Sequence, residues 1–161
     1  GSLIRQILTG RTLADNRVMA SLFVADRLDH LLNNVDGISQ KIDAGVCVLT
    51  DRYYFSSYAY HSVDVDMGWV IQANALSAQL LRPTLTVFLD VPVDTALERI
   101  RKNRFVEEIF DQEDRLRKTR ELYFRAFERL EGVERVAVVD GAGTQDEVSA
   151  RIWAAVEPCF R

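Results

Sequence analysis

The 161-residue chain has only two cysteines, Cys47 and Cys159, and their spacing fits neither a disulfide framework nor a zinc site. Both read as free thiols of a reducing compartment. No apolar stretch approaches the ~20 residues of a membrane span, and the N-terminus lacks a signal-peptide layout. The expected home is the cytosol, with no membrane contact. At a net charge of -4 the chain also lacks the basic excess that draws a protein to nucleic acid, so any phosphate chemistry must be local. His30 and His61 are not matched by a Ser, Cys or Asp in triad order, nor by a second ligand at metal spacing, and neither is assigned a catalytic role. Repeats, low-complexity tracts and linkers are missing too. One domain over residues 1–161 is expected.

What the chain does have is apolar material, 48% of its residues, arranged in three short runs that each end in an acid. Val46-Cys47-Val48-Leu49-Thr50-Asp51, Leu85-Thr86-Val87-Phe88-Leu89-Asp90 and Val136-Ala137-Val138-Val139-Asp140 have no polar alternation. That pattern suits strands covered on both faces. Helical patterns separate them: Asp15 as N-cap to about Asn33, a short helix from Ile38 to Ala44, Trp69 to Leu81, a helix capped by Asp94, another running to Leu130, and a last one capped by Thr144. Strands alternating with helices predict an α/β fold with a parallel sheet and right-handed crossovers. Ligands of such folds bind beyond the carboxyl ends of the strands.

Chemistry is therefore sought where the first run ends. Asp51 and Arg52 place a carboxylate beside a planar guanidinium that can fork onto a phosphate; the same pair also reads as a surface ion pair. Ser56, Ser57 and Tyr60 follow within two turns and can hydrogen-bond a base or sugar, or the serines can cap the next helix. Phe23 and Arg27, four apart on one helix, can offer a ring and a cation to one ligand, or be a core-edge Phe beside a solvated Arg. Arg99, Arg101, Lys102 and Arg104, with Arg115, Arg117 and Arg120 downstream, concentrate cations around an expected loop. They read as a phosphate-closing lid or as a solvated helix face laced with Glu107, Glu108, Asp111 and Glu113.

Taken together, Asp51-Arg52-Tyr53, Ser56 and Ala59-Tyr60 resemble the signature of thymidylate kinases, members of the P-loop nucleoside-monophosphate kinase superfamily. The similarity extends to Ile4-Arg5, the Phe23–Arg27 pair, Arg82-Pro83-Thr84-Leu85 running into Asp90-Val91-Pro92, Arg120-x-x-Tyr123, and Val138-Val139-Asp140. The resemblance implies a three-layer α/β/α fold of P-loop type, and phosphorylation of dTMP to dTDP by ATP with Mg2+. It implies that Phe23 stacks on thymine, Arg27 bonds its carbonyl edge, Ser56 and Ser57 lie at the nucleotide, Tyr60 crowds the ribose 2′ position and Arg52 grips the acceptor phosphate. Asp51 would stand near the magnesium, through water, and Arg101 and Arg104 are the candidate lid cations. A homodimer is implied as well. At the position of the family's frequent Gln after Ala-Tyr, this chain has His61.

The sequence departs from the family in one respect: nowhere does it contain Gly-x-x-x-x-Gly-Lys-Ser/Thr, the loop that holds ATP phosphates on backbone amides and a lysine. In the family that loop lies on the central first strand, ahead of the region matched here. The expectation is a piece of a longer protein, carrying acceptor site and lid, inactive alone, with its ATP-binding residues unknown. The alternatives are a nucleotide-binding or dimerisation module without catalysis, or a kinase for another deoxynucleotide.

Overall fold

The computed structural model describes residues 1–103 and 109–160, which form two compact units, residues 1–82 and 83–161. Each is described by itself.

The first unit is helical: α1 (Ser2–Leu8), α2 (Asn16–Leu32), α3 (Ile38–Asp43), α4 (Tyr54–Tyr60), a 3-10 turn at His61–Val63, α5 (Met67–Ala73) and α6 (Ala75–Leu80). Asp15 caps α2 as expected, its carboxylate accepting from the Arg17 amide at 2.8 Å, and Asn33 ends it. The core is built around α4, whose Tyr54, Phe55, Tyr58 and Ala59 are buried with Leu31 of α2 and Val70 of α5. Tyr54 and Tyr58 stack one turn apart at 5.4 Å, so the aromatic face of α4 carries much of the packing. The predicted helix from Trp69 to Leu81 starts two residues earlier, on an Asp66 cap, and is split at Asn74.

The first of the three expected strands does not form. Residues 46–50 have no regular secondary structure, with Leu49 97% and Val46 51% exposed. A strand needs a neighbour for its amides and carbonyls, and among the described residues no strand pairs with this run. Its composition favours a buried strand; its surroundings supply no ladder.

In the second unit the other two runs do pair. β1 (Thr86–Asp90) and β2 (Val136–Asp140) are parallel and in register, Asp90 opposite Asp140. The connection runs through α7 (Val93–Asn103) and α8 (Ile109–Arg129), and α9 (Gln145–Val156) follows β2. Phe88 of β1 packs on Tyr123, Phe124 and Phe127 of α8, with ring centroids 4.7, 5.7 and 5.3 Å away. Thr144 and Glu147 form a full capping box at the start of α9. Asp94 falls inside the first turn of α7 instead of capping it. Gly141 lets the two strand ends close together: its amide donates to the Asp90 carbonyl at 2.8 Å, and a Cβ there would sit 2.6 Å from the Val91 side chain. The unit is thus a small parallel α/β layer.

Candidate functional site

Arg27 of α2 reaches Ser57 of α4 and Asn74 between α5 and α6. Its Nη2 donates to Ser57 Oγ at 2.9 Å and its Nη1 donates to Asn74 Oδ1. The guanidinium carbon lies 5.6 Å from the centre of the Tyr53 ring. Tyr53 is anchored in turn, its hydroxyl donating to the Leu81 carbonyl at 3.1 Å. Burial pulls the Arg27 pKa down, and Tyr53, Tyr58 and Asp26 offset part of that. An arginine stays charged through such a shift. All its hydrogen-bond acceptors here are neutral, so the half-buried cation has no carboxylate bonded to it.

One turn earlier on α2, Phe23 faces His61, with ring centroids 5.1 Å apart and planes tilted by 51°. Burial, and after it the nearby Arg27 charge, hold the His61 imidazole below its ordinary range, so it is neutral at pH 7. A ring, a neutral imidazole and a cation with spare donors suit a planar ligand with carbonyl edges.

A second group forms where the expected strand would have ended. Arg52 has φ +68°, the one positive φ among the described non-glycine residues. A left-handed conformation costs a non-glycine residue about 1–2 kcal/mol. Thr50 Oγ1 donates to the Arg52 carbonyl at 3.2 Å and steadies that turn. The Arg52 side chain lies over the Tyr60 ring at 4.9 Å, with Nη2 3.4 Å from the Tyr60 hydroxyl. Asp51 is exposed on the same turn.

The expected site residues fall as follows. Phe23, Arg27 and Ser57 come together, and so do Arg52 and Tyr60. Ser56 and Ser57 do not cap α4: the N-cap is Tyr53, and both serines lie inside the helix, Ser57 buried and Ser56 half-buried. Arg104 lies outside the described residues, as does the side chain of Arg101. Of the downstream cations, Arg117 pairs with Glu113 at 2.7 Å and Asp94 at 3.0 Å, and Arg120 forks onto Asp90 at 2.6 and 2.7 Å. Both sit on α8, not on a loop. Asn74 was missed by the sequence reading, although a signal existed. Met67, Val70, Asn74 and Ser77 recur at three- and four-residue spacing and are all buried, so this buried series turns from apolar to polar halfway along.

Among the described residues no helix is long and apolar enough to cross a membrane. No group of three His, Cys, Asp or Glu side chains could hold a metal among them either.

A family model described as Thymidylate kinase matches residues 1–152. The chain is 34% identical over 129 residues to a probable thymidylate kinase of Methanocaldococcus jannaschii, covering 80% of this chain and 62% of the relative. With a probable thymidylate kinase of Metallosphaera sedula it shares 38% over 120 residues, 74% of this chain and 57% of the relative. A thymidylate kinase of a Geobacillus species is 36% identical over 160 residues, 95% of this chain and 74% of the relative. The chain thus spans about three fifths of the first two relatives' lengths.

Proposed function

Because the chain belongs to the thymidylate kinase family, we propose that the protein transfers the γ-phosphate of ATP to dTMP, giving dTDP and ADP. These residues carry the acceptor site. The observation that supports the reading most is Arg27, a half-buried cation held by a serine and an amide, one turn from Phe23. Its remaining N–H groups suit the carbonyl edge of thymine, and Phe23 offers the base a ring face. Ser56 and Ser57 lie toward the nucleotide. Arg52 takes the 5′-phosphate, and Tyr60, against that guanidinium, restricts the ribose 2′ position. The strained turn at Arg52 fits a residue kept for a ligand rather than for the fold.

Asp51, beside Arg52 in the chain, is the carboxylate assigned to that end of the site. Magnesium in phosphoryl transfer is held mostly by substrate phosphates and waters with one or two carboxylates, so a lone exposed Asp51 fits the ion through water. Bound there, it would draw charge from the phosphate oxygens. Arg101 and Arg104 are assigned to the lid. The ATP phosphates are assigned to a glycine-rich loop outside these 161 residues, since the sequence contains no match to one. The 161-residue chain alone is then expected to turn over negligibly. A single kinase domain, a cytosolic setting and a homodimer complete the reading; exposed Val18 and Leu32 of α2 offer apolar surface for the last.

A coupled assay of the intact protein tests it, with dTMP, dUMP, dCMP and thymidine as acceptors. ADP formation highest with dTMP is expected; none with dTMP would end the proposal, and preference for another nucleotide would redirect it. The missing loop motif favours one second reading, a module that binds nucleotide without catalysis. Calorimetry showing dTMP binding but no ATP binding in the intact protein would select it.

A further inference from the structure

We propose that Asn74 is the positioning residue that fixes the Arg27 guanidinium, and thereby sets the preference for pyrimidine nucleotides with a 4-carbonyl over those with a 4-amino group. This rests on the assignment of Arg27 to the base. Asn74 lies at the junction of α5 and α6 and is 1% exposed. Its Nδ2 donates to the Val70 carbonyl at 2.8 Å while its Oδ1 accepts from Arg27 Nη1. An arginine only donates and a carbonyl only accepts, so the amide has a single orientation. The backbone is bent to suit: the Asn74 amide splits between the Val70 and Ile71 carbonyls at 3.3 and 3.1 Å, and the helix restarts at Ala75.

Three supports then determine the guanidinium plane: the Asn74 oxygen on Nη1, the Ser57 hydroxyl on Nη2, and the Tyr53 ring at 5.6 Å. The choice of an amide has a consequence. An aspartate here would cancel the charge, and would set an acceptor against the Val70 carbonyl. An asparagine holds the fork and leaves the cation and its other donors for a ligand. Donors held in one plane favour an acceptor at the base edge and disfavour an amino group, which presents donors to donors.

The test is a double-mutant cycle on the intact protein, reading Kd for dTMP and dCMP with Asn74→Ala, Arg27→Ala and the double variant. Asn74→Ala is expected to weaken dTMP about tenfold, the scale of one hydrogen bond to a charged group, and to leave dCMP nearly unchanged. It should add nothing once Arg27 is gone, and should raise KM for dTMP with little effect on kcat. Where Asn74→Ala does not fold, Asn74→Leu fills the volume and serves the same cycle. Equal losses for both nucleotides, or the same loss with and without Arg27, would overturn the positioning role alone. Arg27→Ala with unchanged dTMP affinity would overturn the assignment of Arg27 to the base, and this inference with it.

Discussion

Arg27 in the first unit and Arg120 in the second show how much an arginine's partners reveal. Arg120 forks onto the Asp90 carboxylate at 2.6 and 2.7 Å and lies over Phe124 at 5.0 Å, so its charge, its fork and its face are engaged within the fold. Arg27 has a hydroxyl, an amide and a ring, none of which cancels its charge. Arg120 ties a helix to a strand end; Arg27 is the cation that the proposed function gives to a ligand. The fork geometry is shared, and the charge of the acceptor separates the two.

The sharpest break of that comparison is Arg27→Ala, which should weaken dTMP binding about a hundredfold, while Arg120→Ala should leave it unchanged, both read by calorimetry. Arg27→Lys comes next, at about tenfold, because a point charge replaces the fork. Thermal unfolding reads the structural role of Arg120. Arg120→Ala should cost about 1 kcal/mol or less, since its side chain is 43% exposed and the pair is screened. Smaller again is a pH effect at His61. Its folded pKa is lowered, so the unfolded state takes up the proton first and stability falls as pH drops through the ordinary value near 6.5, levelling off below the folded one. The unfolding midpoint measured from pH 8 to 5.5 should therefore fall more steeply in the native chain than in His61→Gln. The smallest effect should come from Leu49→Ser in the 161-residue chain, within about 0.5 kcal/mol, because Leu49 is 97% exposed. A loss of several times that would show the run to be covered.

Val46–Asp51 and Leu85–Asp90 read alike, yet only the second forms a strand. Apolar pattern reports what a segment would do beside a partner; it carries no record of whether the partner is there. The helices were legible because their signals are local: Asp15 caps α2 and Thr144 caps α9 where expected. At the candidate site, the nearness of Phe23 and Arg27 was legible from helical spacing, while Arg52 and Tyr60 were picked out singly and their contact was not. Asn74 showed only as a polar residue at the spacing of apolar ones, because its role depends on a contact 47 residues away with Arg27. For Arg117 and Arg120 the cationic stretch follows its solvated-face reading, which a count alone could not separate from a lid. A count of arginines does not show that Arg117 and Arg120 already face Asp94, Glu113 and Asp90.

The most direct test is calorimetric titration of dTMP into the intact protein, its Arg27→Ala variant and its Arg120→Ala variant. One site per chain, unchanged without Arg120 and about a hundredfold weaker without Arg27, is the expected result. Equal dTMP affinity with and without Arg27 would contradict the account.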